Sequence, residues 1–116
     1  MKYLCLIYDE ERTLGALTQA EMGQFMGEYM NFTKDIKANG HWLAGHALKP
    51  VASATTVRVR AGKLATTDGP FAETKEQLGG FYLIEARDLN EAIQIAARIP
   101  SARIGSIEVR PIQEFN

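Results

Sequence analysis

Two stretches with helical period, each bracketed by runs with strand period, constrain this chain more than anything else in its sequence. In the first, Met22, Phe25, Met26, Tyr29, Met30, Thr33 and Ile36 recur at three- and four-residue steps and predict one apolar stripe. Thr18 and Glu21 have capping-box spacing, which lets the hydroxyl and the carboxylate satisfy early amide donors. Asn39-Gly40 supplies a left-handed stop. In the second, Asp88 and Glu91 repeat the capping spacing, Leu89, Ala92, Ile93, Ala96 and Ile99 make the stripe, and Pro100 ends it.

The flanking runs read as strands. Lys2 to Tyr8 is rich in aromatic and branched side chains and predicts a strand apolar on both faces. Asp9 to Leu17 is polar and reads as a loop. His41 to Leu48 is a shorter strand closed by Pro50. Thr55 to Arg60 alternates with period two, so Val57 and Val59 are expected on a covered face, or the arginines instead. Ala61-Gly62-Lys63 turns it into Leu64 to Thr67, a hairpin. Ala72 to Leu78 has room for one helical turn. Gly79-Gly80 then opens Phe81 to Ala86, and Ser106 to Arg110 is a last strand, with Pro111 marking an edge.

The order is β-α-β, hairpin, β-α-β. Helices that each need a sheet to cover, joined by right-handed crossovers, predict an α+β, ferredoxin-like βαββαβ fold with an inserted hairpin. It is an antiparallel sheet with helices on one face, and residues 1–116 make a single domain. The other face is left bare, and a first strand apolar on both sides predicts that it meets a second copy, giving a homodimer in which two sheets close as a dimeric α+β-barrel.

Composition removes several function classes. Thirteen basic and fourteen acidic side chains leave a formal net charge of −1, without the basic stripe that phosphate neutralisation requires, so direct nucleic-acid binding is not expected. No apolar stretch approaches the length that spans a bilayer, and the chain starts directly into a strand-like run without a basic leader, so no membrane partner and a cytoplasmic location are expected. Cys5 is the sole cysteine and reads as a small buried hydrophobe. His41 and His46 are the only histidines and lie on opposite faces of a regular strand, a poor metal pair. Gly79-Gly80 precedes a strand rather than a helix, so it reads as a close backbone approach or a bulge and not as a phosphate loop. Neither a metal nor a cofactor is expected.

The candidate chemistry gathers around Asp68-Gly69-Pro70-Phe71. Asp68, at a strand end, suits a general base or an anchoring acceptor, or else bonds the amides of its own turn. His46, between Gly45 and Ala47, has space beside its ring for proton transfer with Asp68 as orienting partner, or is a satisfied structural histidine. Phe71 is a plug over the core or a stacking platform. Glu73, Lys75 and Glu76 form a charged cluster that can hold an anionic ligand or an ion pair across the dimer, or be a solvated face.

The run Asp68-Gly69-Pro70-Phe71-Ala72-Glu73-Thr74-Lys75-Glu76-Gln77-Leu78-Gly79-Gly80-Phe81-Tyr82-Leu83-Ile84-Glu85 resembles the signature of the DGPF-motif branch of the YCII-related family. Met1 to Leu4, Thr55 to Arg60 and Ser106 to Pro111 are similar to that family as well. The resemblance implies the same dimeric α+β-barrel, and a setting near extracytoplasmic-function sigma factors, to which some relatives are fused. In the broader family it also implies an enzyme with a histidine early in the first helix and an aspartate opening an Asp-Pro-Phe run after the second. This sequence departs at both places: Thr18 to Lys37 has no histidine, and the turn reads Ile99-Pro100-Ser101-Ala102. The reading is therefore a dimeric small-molecule-binding or regulatory module. The alternative is a cofactor-free proton-transfer enzyme, an isomerase or lyase, with Asp68 and His46 as its acid–base pair and Phe71, Glu73, Lys75 and Glu76 as ligand contacts.

Overall fold

The computed structural model of the chain describes residues 1–115. In chain order the elements are β1 (Lys2–Asp9), α1 (Glu11–Gly15), α2 (Gln19–Ala38), β2 (Trp42–Ala47), β3 (Thr55–Arg60), β4 (Lys63–Asp68), β5 (Gln77–Glu85), α3 (Leu89–Ala96) and β6 (Ser106–Pro111), with 3-10 turns at Val51–Ser53 and Pro100–Arg103. Four strands form an antiparallel sheet in the order β2-β5-β1-β6, while β3 and β4 pair only with each other. Both long helices lie on one face of the main sheet. This is the ferredoxin-like α+β arrangement with an inserted hairpin.

The Thr18–Glu21 capping box forms as its spacing predicts, whereas at Asp88 only the aspartate half forms and Glu91 Oε1 accepts from the Arg87 amide at 2.8 Å. Thr18 Oγ1 accepts from the Glu21 amide at 3.1 Å and Glu21 Oε1 accepts from the Thr18 amide at 2.9 Å, so two orphan donors at the start of α2 are satisfied together. Those bonds hold the Glu21 carboxyl below the usual carboxylate range. At the far end Asn39 caps the helix and Gly40 takes φ +78°, a backbone region that a side chain would strain. Asp88 Oδ1 accepts from the Glu91 amide at 2.9 Å to start α3.

The core lies between the sheet and the helices. Tyr3, Cys5 and Ile7 of β1 and Tyr82 and Ile84 of β5 face Phe32 and Ile36 of α2 and Ala92, Ile95, Ala96 and Ile99 around α3. Several expectations shift here. The α3 face is rotated: Ala92, Ile95 and Ala96 are buried, while Leu89 and Ile93 are exposed. On α2, Phe32 is buried although it falls outside the expected stripe, and Met26 and Met30 are exposed. Asp9 to Leu17 contains the short helix α1 rather than a plain loop. Of Ala72 to Leu78, the stretch Ala72 to Glu76 is bends and irregular backbone and not a helical turn, while Gln77 and Leu78 already belong to β5; Gln77 Nε2 donates to the Thr74 carbonyl at 2.7 Å.

Gly79-Gly80 proves to be both a bulge and a close approach. The β1–β5 register passes from Ile7 opposite Gly80 to Tyr8 opposite Leu78, leaving Gly79 without a partner on β1. A side chain at Gly80 would put its Cβ 2.8 Å from the His46 carbonyl oxygen.

The second sheet face is bare. Leu4, Leu6, Tyr8, Phe81 and Leu83 are half-buried on it, so β1 is buried on one face and not on both. In the hairpin neither alternating set is covered, since Val57, Val59 and Leu64 are all at least 60% exposed. The radius of gyration is 16.2 Å, against about 13 Å for a compact domain of this length, because the slab measures 48 × 47 × 18 Å.

Candidate functional site

A cavity of about 710 Å³ opens between α2 and the β2–β5 side of the sheet. Its volume falls in the range of small-molecule sites. Its wall on α2 is the row Met22, Phe25, Met26, Tyr29, Met30 and Thr33, ending in Lys34 and Lys37, which the three- and four-residue steps bring to one side. Trp42 and Tyr82 face that row from β2 and β5. Their rings meet edge to face at 6.0 Å, and Tyr82 stacks on Tyr29 at 6.5 Å. Gly45 makes this packing possible. A Cβ there would lie 2.8 Å from the Tyr82 ring and 2.9 Å from the Trp42 ring. Thr33 Oγ1 and the Tyr82 hydroxyl share a hydrogen bond of 2.7 Å, and burial pushes the Tyr82 phenol up.

One end of the cavity is closed by a buried carboxylate. Asp9 is the last residue of the Tyr3, Cys5, Ile7 alternation, so the pleat turns it toward the helices, where it is 7% exposed. Asp9 Oδ2 accepts from the Ser101 hydroxyl at 2.8 Å. The Ser101 oxygen also bonds the Tyr29 hydroxyl, and because serine has a single hydrogen, already given to Asp9, Tyr29 must be the donor. A chain thus runs Tyr29 to Ser101 to Asp9. The second oxygen, Oδ1, is buried without a hydrogen-bond partner among the described residues. It lies against Gly105, where a Cβ would come within 2.8 Å of it and 2.1 Å of the Tyr8 carbonyl oxygen.

Burial is the main cause that raises the Asp9 carboxyl above its ordinary value. The Ser101 bond opposes this, and the negative charge of Glu76 adds to it. Glu76 itself accepts from the Ser106 hydroxyl at 2.7 Å. Burial and the nearby Asp9 charge push the Tyr29 phenol up to about 12, against its bond to Ser101. Burial also pushes the Cys5 thiol up to about 11, which removes the nucleophile that a reactive cysteine needs.

The residues singled out from the sequence are dispersed. Asp68 ends β4 opposite Thr55 and is exposed. Among the described residues its side chain makes no hydrogen bond, and the loop is held instead by the Gly69 amide on the Ala54 carbonyl at 2.7 Å and by Thr56 Oγ1 on the Gly69 carbonyl at 2.8 Å. Gly69 takes φ +104°, which accounts for its glycine. His46 borders the cavity, but its position opposite Phe81 turns its ring to the bare face, 5.8 Å from the Phe81 ring. No hydrogen bond among the described residues joins His46 to Asp68. Phe71 is 80% exposed and plugs nothing within its own chain. Glu73 and Lys75 are exposed, whereas Glu76 approaches Asp9.

Asp9, Tyr29 and Ser101 were not grouped by the sequence, although one signal was present. Asp9 continues the phase of the buried side chains of β1, and a carboxylate in that phase is either paired or functional. Tyr29 is in the predicted stripe, but the partner that joins it to Asp9 lies beyond α3.

The chain is similar to known proteins along its whole length. It is 38% identical over 114 residues to an uncharacterized protein of Rhizobium meliloti (strain 1021), covering 97% of this chain and 92% of that one. Among solved structures it resembles the 5-chloro-2-hydroxyhydroquinone dehydrochlorinase of Burkholderia phenoliruptrix AC1100, determined with 2,5-dihydroxybenzoquinone. The TM-score is 0.57 at 15% identity, covering 99% of this chain and 96% of that one, which is a likeness of fold. The YCII-related domain family matches residues 1–116, and with that match the chain is a member of the YCII-related family.

Proposed function

We propose that this protein is a small-molecule-binding module that works as a homodimer, with the ligand seated under α2. The observation that carries the reading is the cavity of about 710 Å³, walled by methionines and aromatic rings and closed at one end by a buried carboxylate. Such a lining suits a small organic molecule with a mainly apolar body. The three methionines of α2 are unbranched and adaptable, which favours a wall that moulds to its occupant. A second copy is supported by the bare row Leu4, Leu6, Phe81 and Leu83 and by the exposed valines of the hairpin. The resemblance of the Asp68 to Glu85 run to the DGPF branch supports a regulatory setting beside extracytoplasmic-function sigma factors.

Trp42 is the only tryptophan and stands in the cavity wall, so its indole resonance reports occupancy. A fragment screen followed by nuclear magnetic resonance is expected to shift it. Ala47→Phe, which fills the cavity from an exposed position, should weaken that binding at least tenfold while the fold is retained. Fragment shifts that map elsewhere, or that are unaffected by Ala47→Phe, refute the site.

A proton-transfer enzyme is the second reading, and Asp9 favours it over the pair Asp68 and His46. Its carboxyl is raised, buried and joined to Tyr29, so it is suited to hold and return a proton at the end of an apolar cavity. Solvent-deuterium exchange into a bound carbon acid, abolished in Asp9→Asn with binding retained, distinguishes catalysis from binding alone.

A further inference from the structure

The cavity is electrically lopsided, and this bears on what it holds. The carboxylates Glu28 and Asp35 of α2 are taken up on its outer flank by Arg103 and Arg98. Lys34 and Lys37 stand on the cavity side, at the end away from Asp9, and among the described residues neither has a carboxylate within ion-pair distance. The Lys37 ammonium lies 4.5 Å from the centre of the Trp42 ring, so an aromatic wall and a cation are presented together. Between the lysines and Asp9 the lining is mainly apolar, with Met26, Met30, Trp42 and Tyr82 among its surfaces, and the Thr33 and Tyr82 hydroxyls are paired with each other.

We infer that the cavity selects a small ring-bearing organic acid, its carboxylate at Lys34 and Lys37 and its ring between the α2 methionines and Trp42. This rests on the cavity being the ligand site and adds the chemical class of the ligand. Two ammonium groups one turn apart can meet the two oxygens of one carboxylate. The apolar wall supplies the burial that an acid of this kind needs to bind at all. A cationic ligand is disfavoured at the same mouth by the same charges.

The test uses 3-phenylpropanoate and its neutral amide, 3-phenylpropanamide, as probes, titrated calorimetrically at low salt into the wild type and into Lys34→Gln/Lys37→Gln. Both lysines are exposed, so the double variant is expected to fold, which circular dichroism checks. The acid should bind the wild type at least tenfold more tightly than the amide. In the double variant that preference should fall to within about twofold, with amide affinity unchanged. Equal affinity of the wild type for both probes, or a preference that survives the double substitution, overturns the acid assignment and leaves the cavity as the ligand site. Failure of both probes to bind at millimolar concentration removes the acid assignment together with the reading beneath it.

Discussion

Replacing Ser101 by alanine removes one oxygen on which a buried carboxylate and a half-buried phenol both depend. In the native chain that oxygen donates to Asp9 Oδ2 and accepts from Tyr29. Among the described residues Asp9 Oδ1 already lacks a partner, so the variant strips the carboxylate of the one hydrogen bond found there. A lost bond to a charged acceptor costs about 2 kcal/mol, and leaving the Tyr29 hydroxyl unpaired adds about 1 kcal/mol. The expected loss is about 3 kcal/mol at neutral pH, or about 12 °C in melting temperature for a chain of this length.

The loss should depend on pH, and its sign follows from Asp9. Its carboxyl is raised in the folded state, so the native chain holds that proton more tightly than the unfolded chain. The stability so contributed is complete below the ordinary aspartate value of about 4 and fades as pH rises through the raised one. The Ser101 bond favours the ionised form, so removing it harms the native state most where Asp9 is charged. Urea unfolding followed by Trp42 fluorescence should show a deficit of about 3 kcal/mol at pH 8 that shrinks toward about 1 kcal/mol below pH 4. In an Asp9→Asn background the pH dependence of the deficit should vanish. A deficit under about 1 kcal/mol at pH 8, or one equal at both pH values, refutes the charged, serine-supported carboxylate.

Three further outcomes are expected. Gly105→Ala should destabilise by about 3 kcal/mol or more, because its Cβ would meet the Tyr8 carbonyl oxygen at 2.1 Å, and chemical denaturation measures this. With its thiol pushed up to about 11 and fully buried, Cys5 should react with an aromatic disulfide reagent only as fast as the chain opens, so reagent concentration should not change the rate at saturation. Sedimentation should give a dimer at micromolar concentration that Leu6→Glu converts to a folded monomer; a wild-type monomer contradicts the second copy.

Local chemistry made the element order readable. Two capping signals, an Asn-Gly stop and a period-two hairpin each act within a few residues, and each is found where its spacing predicts. The face that a helix buries is less legible, because it depends on what the helix meets. Ile93 and Ile95 are equal in hydrophobicity, and only packing of α3 against β6 and the sheet core decides that Ile95 goes inside. The burial of Phe32 is illegible in the sequence for the same reason. The acid end of the cavity was hidden by distance, since Asp9, Tyr29 and Ser101 come from a strand end, a helix and a 3-10 turn that meet only in three dimensions. Glu76 alone among the predicted ligand residues reaches that end. It does so because the turn before β5 is tied down beside α1, where Gln77 Oε1 accepts from the Glu11 amide at 2.9 Å.

The sheet order β2-β5-β1-β6 also sets the timetable of folding. β1 precedes the other described strands in the chain yet sits between the last two of them, with Leu4 opposite Leu83 on one side and Arg110 on the other. On a ribosome it must wait, apolar and unpaired, until β5 and then β6 have been made. Its pairing closes long loops, so the rate-limiting step should be slow and sensitive to changes in β5 and β6 more than in the hairpin. During that wait Tyr3 to Tyr8 is the segment most exposed to wrong partners, and a nascent chain stalled before β5 is where a chaperone has most to protect.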